Sequence, residues 1–172
     1  MRDKDCGIGD VNLWLENEPT LEEIIEDIDH FGPDNYDEVV FCGYGEPTMR
    51  LEELLAAAKH IKTCYHVPVR INTNGQADLM YAEPVPPKFL GLIDTVSISL
   101  NAKNAAEYQA LCQSVYGEES FDALIQFAKD CTKYVPQVIM SVVDVLPAED
   151  IAVCRQLAEE AGASLRVRTL IE

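Results

Sequence analysis

Val39-Val40-Phe41-Cys42-Gly43-Tyr44-Gly45-Glu46-Pro47-Thr48 is the stretch that decides how this chain folds. An apolar, β-prone run enters a Gly-x-Gly-Glu-Pro turn, and an amphipathic helix follows with Leu51, Leu54, Leu55, Ala58 and Ile61 on one face. Gly43 and Gly45 let the backbone turn sharply and approach a ligand, because no Cβ stands in the way. Pro47 has no N–H to offer a strand ladder, so it ends the strand and fixes the direction of exit. A buried strand that ends in an ordered, Gly-rich polar turn is where α/β proteins place small-molecule sites. The turn is therefore a candidate site.

Working outward, helix and strand alternate along the whole chain. Pro19-Thr20-Leu21-Glu22-Glu23 opens a helix with a capping box, Leu21, Ile24, Ile25 and Ile28 form its apolar face, and Gly32-Pro33 stops it. Strands are expected at Glu38–Cys42, Val67–Thr73, Thr95–Leu100, Gln137–Val145 and Leu165–Ile171. Helices are expected at Met49–Cys64, near Phe89–Leu92, within Asn104–Tyr134 with a break at Gly117, and from Pro147 to Gly162. Ser120 reads as the N-cap of the second helix in the long segment. A βα repeat of this kind requires parallel strands with right-handed crossovers. An open doubly wound sheet gathers its ligand residues at one switch point, whereas a barrel spreads them over the carboxyl ends of many strands. Polar turns end several strands here, at Gly43–Thr48, Asn72–Gly75, Asn101-Ala102-Lys103 and Asp144, and this spread favours a partial TIM-like barrel. The 172 residues are expected to form one domain.

Composition narrows the partners. The hydrophobic share of 48% speaks for a packed core, and the net charge of −17 with no Lys/Arg run speaks against nucleic acid and anionic membrane. No apolar run is long enough to span a bilayer and no signal-peptide pattern follows Met1, so the expected location is cytoplasmic. Cys6, Cys42, Cys64, Cys112, Cys131 and Cys154 include no CxxC pair. Cys42, Cys131 and Cys154 read as small hydrophobes on apolar faces. His30, His60 and His66 read as surface or capping residues without a carboxylate or cysteine at ligand spacing.

Polar residues on apolar strands complete the candidate site. Asn72, Asn74, Ser97, Ser99 and Asn101 interrupt runs of Val, Ile and Leu, and a buried polar group without a partner costs about 1–3 kcal/mol. Asn74-Gly75 reads as a locally paired turn, whereas Ser99 and Asn101 read as ligand contacts on the rim shared with the Gly-Glu-Pro turn. Two readings stand for Glu46: a catalytic carboxylate, or part of a shaped loop whose backbone carbonyls face the ligand. Arg166 and Arg168 alternate on the last strand and share a face, where they form an anion site or pair with carboxylates of the barrel.

Gly-Tyr-Gly-Glu-Pro after one strand, Thr73-Asn74-Gly75 after the next and Ser97-Ile98-Ser99-Leu100-Asn101-Ala102 at the third resemble radical S-adenosylmethionine (radical SAM) enzymes. The likeness runs over nearly the whole chain and is nearest to radical SAM proteins linked to TatD-type nucleases. It implies a partial (β/α)6 barrel and reductive cleavage of S-adenosylmethionine to a 5′-deoxyadenosyl radical, acting on an unknown substrate. It further implies that backbone carbonyls of the segment matched by Tyr44, Gly45, Glu46 and Pro47 hold the methionine ammonium, with Gly43 in the same cofactor-binding turn. Asn72, Asn74, Ser99, Asn101 and Arg168 would serve the rest of the cofactor, with backbone at Val142 and Val167–Thr169 beside adenine.

One departure matters. The family holds a 4Fe-4S cluster with three cysteines in a CxxxCxxC loop after its first strand, and this chain has neither that motif nor that strand. Met1-Arg2-Asp3 is similar to sequence just beyond the third cluster cysteine, so a late start is implied and little cleavage activity is expected. A non-enzymatic remnant barrel that binds S-adenosylmethionine or a nucleotide is the alternative, as is an unrelated (β/α) enzyme using Glu46. With Glu38–Cys42 as an open edge, pairing into a homodimer is expected, with the loop around Trp14 covering the gap or swapping across it.

Overall fold

The computed structural model describes Leu15 and residues 17–170. Trp14, Cys6 and the end of the last expected strand at Ile171 lie outside the described residues. Five strands, β1 (Val39–Phe41), β2 (Val69–Thr73), β3 (Thr95–Ser99), β4 (Gln137–Val143) and β5 (Ser164–Arg168), form one sheet. The helices are α1 (Leu21–Phe31), α2 (Leu51–Cys64), α3 (Ala77–Tyr81), α4 (Ala105–Cys112), α5 (Glu119–Cys131) and α6 (Ala148–Glu160).

Every neighbouring pair of strands is parallel, and the spatial order β1-β2-β3-β4-β5 is the order of the chain. A doubly wound sheet would reverse direction at a switch point; this order never reverses, so the sheet is singly wound like part of a barrel. Alternation along the strands then sorts side chains onto two faces. Val69, Ile71, Val96, Ile98, Met140 and Val142 face the helices and are fully buried in the core with Ile61, Phe89, Leu124 and Phe127. Their sequence neighbours Arg70, Asn72, Ser97, Ser99 and Ser141 line an open cavity on the other face, and Arg166 and Arg168 of β5 line it with them. The strands thus carry an apolar outer face toward the helix layer and a polar inner face.

The local chemistry of the turns supports this arrangement. Thr20 caps α1 as expected: its Oγ1 accepts from Glu23 N at 3.2 Å while Glu23 Oε2 accepts from Thr20 N at 2.7 Å. Gly75 has φ +75°, and a Cβ there would lie 2.9 Å from Ile98 Cγ2 and 3.0 Å from Leu124 Cβ, so only glycine fits between β2 and α5. Ser120, expected as an N-cap, instead sits buried within the first turn of α5 and donates to Gly117 O at 2.6 Å. The helix starts earlier because Gly117, at φ +65°, turns the chain before Glu118.

Candidate functional site

The inner face of the sheet and the loops at the carboxyl ends of the strands enclose a cavity of about 930 Å³. Of the ten residues singled out from sequence, Gly43, Tyr44, Gly45, Glu46, Asn72, Asn74, Ser99, Asn101 and Arg168 line it, and Pro47 lines an adjoining cavity of about 640 Å³ between β1 and α2. Parallel strands put successive carboxyl ends on one rim, which is why turns so far apart in sequence meet.

Glu46 is the residue that joins them. Its Oε1 accepts from Thr48 N at 3.1 Å, from Thr48 Oγ1 at 2.7 Å and, across to the next strand, from Thr73 Oγ1 at 2.7 Å. Its Oε2 accepts from the backbone N–H of Asn74 at 2.8 Å. Both carboxylate oxygens thus accept hydrogen bonds, three at Oε1 and one at Oε2, an engagement that suits a structural strut. The side chain is a strut that locks the Gly-Glu-Pro turn to the end of β2. Tyr81 of α3 braces the same turn from behind, donating to Thr48 O at 2.9 Å.

The two glycines of the turn do different jobs. At Gly43 a Cβ would press on Gly45 O at 3.2 Å and Gly45 N at 3.3 Å, so a side chain there would force the turn to give by a few tenths of an ångström. At Gly45 a Cβ would meet nothing within 4 Å and φ is not positive. Nothing in the fold demands glycine there; its effect is to keep the cavity wall open to a ligand's approach.

Around this turn the wall is polar and largely unengaged. Asn72, Ser97, Ser99, Arg166 and Arg168 line the cavity and make no side-chain hydrogen bond or ion pair among the described residues. Register places Ser99, Ser141 and Arg166 in one lateral row, and Asn72 beside Ser97 in another. Asn74 behaves as a turn residue should: its Oδ1 accepts from Gln76 N at 2.9 Å. Asn101 adopts the left-handed conformation at φ 60° and donates to Cys112 Sγ at 3.5 Å.

The radical SAM superfamily model matches residues 6–161, which takes in every element of the cavity wall through β4 and the helix after it. The chain belongs to the radical SAM superfamily. A search of the curated proteins found no match to it. In a radical SAM domain the polar cradle described above is the place to test for the cofactor, and the open wall at Gly45 with unengaged amides and hydroxyls fits a polar, zwitterionic molecule.

Among the described residues the same test fails for an iron–sulfur cluster, which needs thiolates in close register. Cys131 and Cys154 are buried in the core, Cys64 lies at the end of α2, and Cys42 and Cys112 border the cavity. Among the described residues no group of three or more His, Cys, Asp or Glu side chains is placed to hold a metal ion. Burial pushes the thiols of Cys131 and Cys154 up, away from the thiolate form a ligand needs.

Several cavity residues escaped the sequence reading. Arg70 projects from β2 two residues before Asn72, ion-paired with Glu38 and with its Nε buried and unpartnered. Gln76 links Tyr108 OH, to which it donates at 2.9 Å, with Ser114 Oγ, from which it accepts at 2.8 Å. Burial, together with the neighbouring Cys112, pushes the Tyr108 hydroxyl up to about 12, so it stays protonated in the wall. Cys42 corrects an expectation: β1 ends at Phe41, so Cys42 is exposed at the cavity rather than packed on an apolar face. Val142 is fully buried in the core, which leaves its backbone alone to face a ligand. Among the described residues no helix is long and apolar enough to cross a membrane.

Proposed function

We propose that this cavity binds S-adenosylmethionine, with the Gly43–Pro47 backbone holding its methionine end. The observation that carries the reading is the Glu46 strut: by engaging Thr73 and Asn74 it fixes the turn whose Tyr44 and Gly45 line the cavity together with Asn72 and Ser99. A preset ring of acceptors binds an ammonium without reorganisation, because the wall is ordered before the ligand arrives. The unengaged Asn72 and Ser99, with Asn101 beside them, then meet the ribose hydroxyls, and Arg168 meets the carboxylate. Arg166 and Arg168 have no carboxylate partner among the described residues, which favours the anion-site reading over internal pairing.

In this superfamily bound S-adenosylmethionine supplies radical chemistry once an iron–sulfur cluster reduces it. The described residues do not fit that cluster, so we derive no radical step, and we propose that this chain alone binds the cofactor without cleaving it. What its own residues do is bind, orient and screen. Three ordered turns in this sequence and spacing support placement near the TatD-linked branch, with a substrate that the wall does not name.

Titration calorimetry separates the possibilities. Micromolar binding of S-adenosylmethionine is expected, and Gly45→Val should abolish it with little effect on unfolding, since a Cβ there meets no protein atom within 4 Å while the side chain fills the approach. Unaltered affinity in Gly45→Val, or no heat with the native chain, overturns the proposal.

A further inference from the structure

A second cluster of reactive groups lies at the far end of α2 from the cavity. The helix begins at the rim and runs for 14 residues, about 20 Å, before ending at Cys64. There His60 and Cys64 stand one turn apart, with His60 Nδ1 3.7 Å from Cys64 Sγ. On its other side His60 Nε2 lies 2.6 Å from Asp29 Oδ1 of α1, and Tyr65 donates to the same oxygen at 2.6 Å. Cys64 is exposed. His60 was expected to have no carboxylate or cysteine at ligand spacing; the fold brings Asp29 and Cys64 to it without making a metal-holding group among the described residues.

The arrangement has a direction. Asp29 is held in its charged form, below its ordinary value, by the hydrogen bonds from Tyr65 and His60. A carboxylate at Nε2 fixes that nitrogen as the donor and turns the Nδ1 lone pair toward the thiol. A nucleophile, a base and an orienting acid are thus lined up, in the pattern by which thiols are activated. In this geometry activation comes from proton removal by His60 during reaction. The group is not placed to hold a metal ion.

We propose that Cys64 is a thiol–disulfide exchange site for low-molecular-weight disulfides, independent of the cofactor cavity. Cys64 S–H passes its proton to His60 Nδ1 as its sulfur attacks one sulfur of the disulfide. A new S–S bond forms to Cys64, the original S–S bond breaks, and the departing thiolate takes the proton from His60. One equivalent of small thiol is released for each mixed disulfide formed.

The test uses the full chain with 4,4′-dithiodipyridine, a neutral disulfide not repelled by the net charge of −17. Peptide mass mapping follows Cys64 and Cys42 separately in one sample, so Cys42 is an internal reference. General-base assistance is worth about 10²–10⁴ in rate, and His60→Gln is expected to slow Cys64 at least tenfold while Cys42 keeps its rate. Asp29→Asn should slow Cys64 by a smaller factor, and it serves alone if His60→Gln does not fold. Equal Cys64 rates in the native chain and whichever variant folds, or no mixed disulfide at Cys64, overturns the proposal; the outcome does not depend on cofactor binding.

Discussion

Replacing Glu46 by glutamine keeps its shape and removes its charge. In the native turn Oε1 takes three hydrogen bonds, from Thr48 N, Thr48 Oγ1 and Thr73 Oγ1, and Oε2 takes one from Asn74 N. A glutamine has one acceptor oxygen. If that oxygen serves the three donors, the new NH₂ faces the Asn74 N–H, donor against donor. A lost charge-assisted hydrogen bond is worth about 1.5–3 kcal/mol, and Glu46 is only partly buried, so we take about 2 kcal/mol as the cost. With a urea m-value of about 2 kcal/mol/M, the midpoint should fall by about 1 M. Denaturant unfolding followed by circular dichroism measures this directly. S-adenosylmethionine affinity should fall as well, because the turn is no longer held in place. A midpoint unchanged within about 0.2 M would refute the strut.

Further outcomes follow from the same residues. Asp29 is held below its ordinary value by Tyr65 and His60, so its contribution is present above pH 4 and is lost as pH falls through the depressed folded value; Asp29→Asn should flatten the acid limb of an unfolding-versus-pH curve. Anaerobic reconstitution with iron and sulfide is expected to leave this chain without a stoichiometric 4Fe-4S absorbance, and a stable, full-occupancy cluster would instead make Cys6 or Cys42 a ligand. We propose that two copies pair through β1, which among the described residues bonds to β2 alone and is flanked by exposed Phe31 and Tyr36. Screening beyond about 8 Å weakens the repulsion between acidic chains at physiological salt, so light scattering should give twice the 19.1 kDa of one chain, and a single 19.1 kDa species contradicts pairing.

How much of this was legible in the sequence depends on whether a feature is local or lateral. Strands β2 and β3 could be read because Arg70, Asn72, Ser97 and Ser99 alternate with buried Val, Ile and Thr residues, a period written in the chain itself. The Gly-Glu-Pro turn was visible for the same reason. What Glu46 touches was not, since Thr73 and Asn74 reach it only through the pairing of β1 with β2. The Gln76–Tyr108–Ser114 link and the Asp29–His60 contact span 32 to 38 and 31 residues respectively, and both follow from packing, not pattern. Cys42 was misplaced because the pairing of β1 stops at Phe41, one residue before it, although the apolar run Val39-Val40-Phe41 leads straight into it. Ser120 misled because a good capping residue also serves inside a first turn when its hydroxyl finds a carbonyl, here that of Gly117.

Amide chemical-shift mapping of the ¹⁵N-labelled protein during titration with S-adenosylmethionine locates the cofactor. Saturable shifts are expected at residues 43–46, 72–75 and 97–101, with none at Asp29, His60 or Cys64 at the far end of α2. Shifts confined to other surfaces, or none at millimolar S-adenosylmethionine, would contradict a cofactor site built on the Gly-Glu-Pro turn.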